Sequence, residues 1–150
     1  MIQRIQTIYF IVVALLFTLS FALPYVDFLT TSGSATLQYF MLNFENNNVT
    51  YFWPAALIAL LTIVTTIITI LKYNNRIMQI KYCYIISSLI ALFYISLLGH
   101  VLMLSSLINA ETIKWNPCII LPVLSLPLTL LAKRAIRADE QLVRSSERLR

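Results

Sequence analysis

The sequence predicts an all-α membrane protein of four transmembrane helices. Both ends lie in the cytoplasm, a small β-hairpin sits on the outer face, and an amphipathic helix closes the chain. Three observations predict this. Hydrophobic residues make up 59% of the 150 residues and charged residues only 11%, with a mean hydropathy of +0.81. Soluble domains are about 45–50% apolar and about 25% charged, so this chain has too few polar residues to cover a globule in water. Four apolar runs near membrane-spanning length divide the sequence, and ten of the eleven Lys and Arg fall on one side of them.

The first run, 5–23, contains no charge in nineteen residues. As a helix it would span about 28 Å, close to the roughly 30 Å hydrocarbon core. Arg4 and the small-residue stretch Ser20-Phe21-Ala22 give it some likeness to a signal peptide. Its apolar stretch exceeds the roughly 7–15 residues of such a signal, so it is read as a true span. The second run, 51–71, opens with Tyr51, Trp53 and Pro54. Proline suits a first helical turn, and the aromatics suit the headgroup belt. The third, 82–107, carries one titratable group of interest, His100. The fourth, 113–132, has Trp115 near its start and Lys133-Arg134 at its end.

Lys and Arg in short loops set orientation. Arg4, then Lys72, Arg76 and Lys81, then Lys133, Arg134, Arg137, Arg144, Arg148 and Arg150 share one side. Lys114 stands on the other with Asp27, Glu45 and Glu111. Both termini are therefore expected in the cytoplasm. In the first outer loop, Ser32-Gly33-Ser34 and Glu45-Asn46-Asn47-Asn48 are turn signals around the strand-forming TLQYFMLNF and VTYFW. They predict a short hairpin.

Candidate chemistry is sparse. His100 reads as a site near the outer end of the third span, or as a neutral interfacial histidine bonded locally. Cys83 and Cys118 fall at opposite membrane faces, too far apart for a disulfide, and are expected as packing residues. Ala55, Ala59, Thr62, Thr66 and Thr69 recur at four-three spacing, one face of the second span. Such small residues let backbones approach in lipid, and their hydroxyls can bond across helices. The face reads as internal packing, or as a substrate path or docking surface. Pro117, Pro122 and Pro127 predict a bent fourth span. GxSxG, HExxH, P-loop and GxGxxG signatures are missing, and no His/Cys cluster has metal-ligand spacing. No cofactor, metal or catalytic residue is expected. Ten of the eleven basic residues fall on one side of the spans, and this distribution argues against a nucleic-acid surface.

The tail, 133–150, is the most patterned segment. Ala135, Ala138, Leu142 and Leu149 form one apolar row, and Ile136 and Val143 a second. Arg137, Arg144 and Arg148 occupy another face, and Glu140 precedes Arg144 in the favourable i, i+4 order. Three acids, Asp139, Glu140 and Glu147, offset half of the tail's six basic charges. This pattern suits an interfacial helix on membrane lipids, or a helix that docks a protein partner through Arg137, Glu140, Leu142, Arg144, Arg148 and Leu149.

The ends of the chain also carry a resemblance. Met1-Ile2-Gln3-Arg4-Ile5-Gln6 and the tail pattern Arg134-Ala135-Ile136, Asp139-Glu140, Leu142-Val143-Arg144-Ser145 and Arg148-Leu149-Arg150 resemble a family of small membrane proteins from Bacteroidetes-type bacteria. That family is known as a domain of unknown function. The resemblance covers the whole chain in length and layout, and the middle spans match in hydrophobicity alone. It implies a bacterial inner-membrane location with the hairpin in the periplasm, and it carries over no catalytic residue or substrate. The expected function is a non-enzymatic accessory or scaffold subunit, docking through the tail and the small-residue faces onto an integral-membrane or cytoplasmic protein. The alternative is a small-molecule or lipid transport component with a site near His100.

Overall fold

The computed structural model describes residues 5–30, 33–37, 41–44, 49–51 and 53–148. In order, the elements are α1 (Ile5–Ser20), β1 (Val26–Thr30), β2 (Gly33–Leu37), β3 (Met41–Phe44), β4 (Val49–Tyr51), α2 (Trp53–Leu71), α3 (Arg76–Leu107), β5 (Thr112–Trp115), a 3-10 turn (Pro117–Ile119) and α4 (Ile120–Arg148).

Each helix buries one row at alternating three- and four-residue spacing, the seam geometry of left-handed bundles. From α1 the row is Gln6, Phe10, Val13, Phe17 and Ser20. From α3 it includes Cys83, Ile86, Ile90, Phe93 and Leu97. The rows of α2 and α4 are smaller: Ala55, Ala59, Thr62, Thr66 and Thr69 from α2, and Pro122, Ser125, Thr129, Ala132 and Ile136 from α4. Two bulky faces thus meet two small ones, and backbones can approach closely.

The distribution of polarity is inverted relative to a water-soluble domain. Gln6, Ser20, Thr62, Thr66, Thr69, Gln79, Ser125 and Thr129 are buried, while Ile8, Leu15, Leu60, Ile95 and Leu102 are more than half exposed. A belt of exposed aliphatic side chains suits acyl chains. Three helical segments are long and apolar enough to cross a membrane: Trp53–Leu71, Arg76–Leu107 and Pro117–Val143.

The first helix is shorter than the expected 5–23 span. It has 16 residues, or about 24 Å. Beyond Ser20 the chain tightens into turns, with the amides of Phe21, Ala22 and Leu23 donating to the carbonyls of Thr18, Leu19 and Ser20 at 3.2, 3.2 and 3.3 Å. Pro24 follows and has no amide to continue them.

The strands exceed the expected hairpin. They form a five-stranded antiparallel sheet in the order β4-β3-β2-β1-β5. Residues 113–115, expected to open the fourth span, instead pair with β1, Ile113 opposite Phe28 and Trp115 opposite Val26. The reason is β1 itself. Its alternation buries Val26 and Phe28 and leaves one edge open beyond the β1–β2 pair. The α3–α4 connection fills that edge, where the amides of Glu111 and Asn116 donate to the Leu29 and Tyr25 carbonyls, both at 3.0 Å. The turn residues 45–48 lie outside the described residues.

The sheet closes one end of the bundle through rings. Phe93 lies 6.0 Å from both Phe17 and Tyr25 and 5.4 Å from Tyr94, centroid to centroid. Tyr94 also donates its hydroxyl to the Ile119 carbonyl at 2.6 Å, tying α3 to the start of α4. Phe93 is therefore the keystone between helices and sheet. Replacing it (Phe93→Ala) is expected to cost about 3–5 kcal/mol and to lower the thermal midpoint of the detergent-solubilised protein by several degrees. A conservative Phe93→Leu is expected to recover part of that loss.

Candidate functional site

At the end opposite the sheet, α4 continues without a break through Lys133 to Arg148. The tail is thus the last turns of α4 and not a separate helix, because no Gly or Pro follows Pro127 to stop it. Residues 133–140 still lie against the bundle, and Ile136 is fully buried.

Three elements converge on Asp139. Gln6, on the buried row of α1, donates its side-chain amide to Asp139 Oδ2 at 2.6 Å. Arg76, the first residue of α3, donates Nη1–H to the Asp139 backbone carbonyl at 3.0 Å. The start of α3 is fixed in turn. Asn75 caps it by accepting the Met78 amide at 3.2 Å, the usual role of Asn at that position. Gln79 donates to the Thr69 carbonyl at 3.0 Å across the tight α2–α3 turn. Beside Asp139 opens a cleft of about 540 Å³ lined by Ile5, Gln6, Tyr9, Arg76, Ala135, Ala138, Asp139, Leu142 and Val143.

A second cluster faces outward nearby. Arg137 donates Nη2–H to the Tyr84 hydroxyl at 3.0 Å, and Lys133 Nζ stands 4.0 Å from the centre of the Tyr84 ring. A smaller cleft of about 330 Å³ is lined by Ile80, Arg137, Glu140 and Gln141. Among the described residues, no three His, Cys, Asp or Glu gather as a metal site. The arrangement offers charges of both signs beside apolar walls, which is suited to binding.

The described side chains among the tail residues singled out from sequence divide between the two clefts. Arg137 and Glu140 line the smaller cleft, whereas Leu142 lines the larger one and is 69% exposed. Leu149 and the side chains of Arg144 and Arg148 lie outside the described residues. The row Ala55, Ala59, Thr62, Thr66 and Thr69 is buried inside the bundle, so it offers no outward docking face. Its hydroxyls do not bond across helices. Thr62, Thr66 and Thr69 donate to the carbonyls of Ile58, Thr62 and Thr65 within α2, at 2.8, 2.7 and 2.6 Å. His100 is half-buried on α3, and neither cleft above reaches it. Cys83 is buried and Cys118 half-buried, both as free thiols. Pro122 falls in the first turn of α4 and Pro127 inside it.

Sequence reasoning missed Gln6, Arg76 and Asp139 as a unit. Gln6 is one of few polar side chains in the first run, and it stands four residues before Phe10 on the buried row. That spacing was the available signal. Asp139 was read as a balancing charge, and its contact 133 residues away in sequence has no local signature.

The family described as Domain of unknown function (DUF4293) has a model that matches residues 2–149. The chain belongs to this family. A search of curated proteins returns no match. For this DUF4293 protein the geometry around Asp139 therefore carries the functional reading.

Replacing Gln6 (Gln6→Leu) removes the donor on Asp139 and leaves a half-buried carboxylate unpaired. The tail contact is expected to weaken by about 1–3 kcal/mol. Hydrogen–deuterium exchange should then accelerate over residues 136–146 and remain unchanged in α2.

Proposed function

We propose that the protein is a non-enzymatic accessory or scaffold subunit of an inner-membrane assembly in a Bacteroidetes-type bacterium, docking its partner with the cytoplasmic turns of α4. Four helices cross the bilayer, and both termini face the cytoplasm. The sixteen-residue α1 is the fourth crossing. Its short length is accommodated by the turns at Phe21–Leu23 and by local thinning. The basic Lys72, Arg76, Lys81, Lys133, Arg134 and Arg137 cluster at the α2–α3 turn end, and among the described residues Lys114 alone is at the sheet end, which supports this orientation.

The observation that carries the docking role is the exposure of Leu142, three residues past the Gln6–Asp139 contact. A large apolar side chain exposed on a helix that has left the membrane suits a partner surface. Its flanking charges of both signs suit a protein surface better than a uniformly anionic membrane. The small-residue faces are occupied inside the bundle, so the tail is left as the docking element.

Two measurements test this. With cysteines introduced on a Cys-free background, a membrane-impermeant maleimide is expected to label Glu111→Cys in intact cells and Ser145→Cys only after permeabilisation. The reverse pattern would contradict the orientation. A photo-crosslinking amino acid at Leu142 is expected to give one discrete protein adduct in native membranes, absent when it replaces the lipid-facing Leu98. Lipid adducts alone at both positions would sink the docking role.

A further inference from the structure

The cleft beside Asp139 holds a cation and an anion in one apolar-walled groove. Arg76 uses one N–H on the Asp139 carbonyl. Its guanidinium has no carboxylate partner among the described side chains, so its charge remains available. Asp139 uses Oδ2 on Gln6, which leaves Oδ1 as an acceptor. The fixed positions of both groups follow from contacts already made, Gln6 from α1 and the Asn75 cap from α3. The walls include exposed Ile5, Leu142 and Val143, and the exposed aliphatic row of α1 continues from Ile5 to Ile8 and Ile11. The volume of about 540 Å³ falls in the range of small-ligand sites, roughly 300–1,000 Å³.

We propose that this cleft binds one phospholipid with a phosphoethanolamine headgroup, its phosphate on Arg76, its primary ammonium on Asp139, and an acyl chain along Ile5 and Ile8. The order of charges on the protein matches the headgroup, since a planar guanidinium takes phosphate oxygens and a carboxylate takes ammonium N–H groups. A trimethylated amine has no N–H to donate and loses the second contact. A headgroup without an amine leaves Asp139 beside its own negative charge. The occupant is a lipid and not a free headgroup because the apolar walls run on into the belt that faces acyl chains. This rests on the membrane reading of the helices, and the cleft shares Leu142 with the proposed docking turns.

The test uses the full chain purified in mild detergent and native mass spectrometry with phosphatidylethanolamine, phosphatidylcholine and phosphatidylglycerol of identical acyl chains. The ethanolamine lipid is expected to be retained roughly tenfold more than the choline lipid, the discrimination one charge-assisted hydrogen bond supplies. Asp139→Asn should abolish that preference and leave phosphatidylglycerol retention unreduced. Arg76→Gln should lower retention of both the ethanolamine and the glycerol lipid. Ala138→Phe fills the cleft while keeping Arg76 and Asp139, and should remove ethanolamine-lipid retention even if Asp139→Asn fails to fold. Equal retention of the ethanolamine and choline lipids by the unaltered protein would overturn the proposal. So would ethanolamine-lipid retention unchanged by Ala138→Phe. Equal binding of soluble glycerophosphoethanolamine would overturn the assignment to a membrane lipid.

Discussion

The structure depends on close contact between small and large helix faces. In lipid, apolar side chains gain nothing by leaving one hydrocarbon for another, so helices associate through packing and satisfied polar groups. Here α2 and α4 present Ala, Thr and Ser, and α1 and α3 present Phe, Ile and Leu. The threonines fit because each hydroxyl donates to its own helix, which leaves a compact and nearly apolar outer surface. A hydroxyl satisfied in this way costs little to bury.

The two ends of the bundle are then closed by different means. At the sheet end, aromatic rings around Phe93 join helices to strands, and backbone hydrogen bonds from Glu111 and Asn116 fasten the α3–α4 connection to β1. Asn116 adds a side-chain bond, donating Nδ2–H to Asp27 Oδ2 at 2.9 Å. At the other end there is no sheet. Polar side chains do the closing, and Asp139 receives both α1 and α3. The consequence is functional. α4 is tied to α1 and α3 at Asp139, and Leu142 just beyond it is exposed, so the proposed docking turns and the cleft meet at one junction.

Much of this architecture could be read from the sequence, for specific reasons. The apolar runs and their one-sided Lys and Arg are composition-scale signals that survive without any contact information. The α2 row was visible because five small residues at four-three spacing stand out among leucines and isoleucines. The equivalent row on α4 was hidden, since its prolines drew attention as kinks while Ser125, Thr129 and Ala132 carried the packing. Residues 113–115 look like the start of a helix in the sequence because Trp beside an apolar run resembles a membrane-interface anchor. Their strand character depends on the free edge of β1, more than eighty residues earlier. Asp139 shows the same limit. A lone acid in a basic helix looks like charge balance until the fold brings Gln6 and Arg76 to it.

Small faces packed inside and aliphatic faces turned to lipid hold this bundle together. Tryptophan scanning along α2 from Ala55 to Thr69 tests it most directly, scored as folded protein recovered from membranes. Folded protein is expected to be lost at Ala55, Ala59, Thr62, Thr66 and Thr69, with tolerance at Leu57, Leu60, Val64 and Ile67. Tolerance at the small positions together with loss at the aliphatic ones would contradict it.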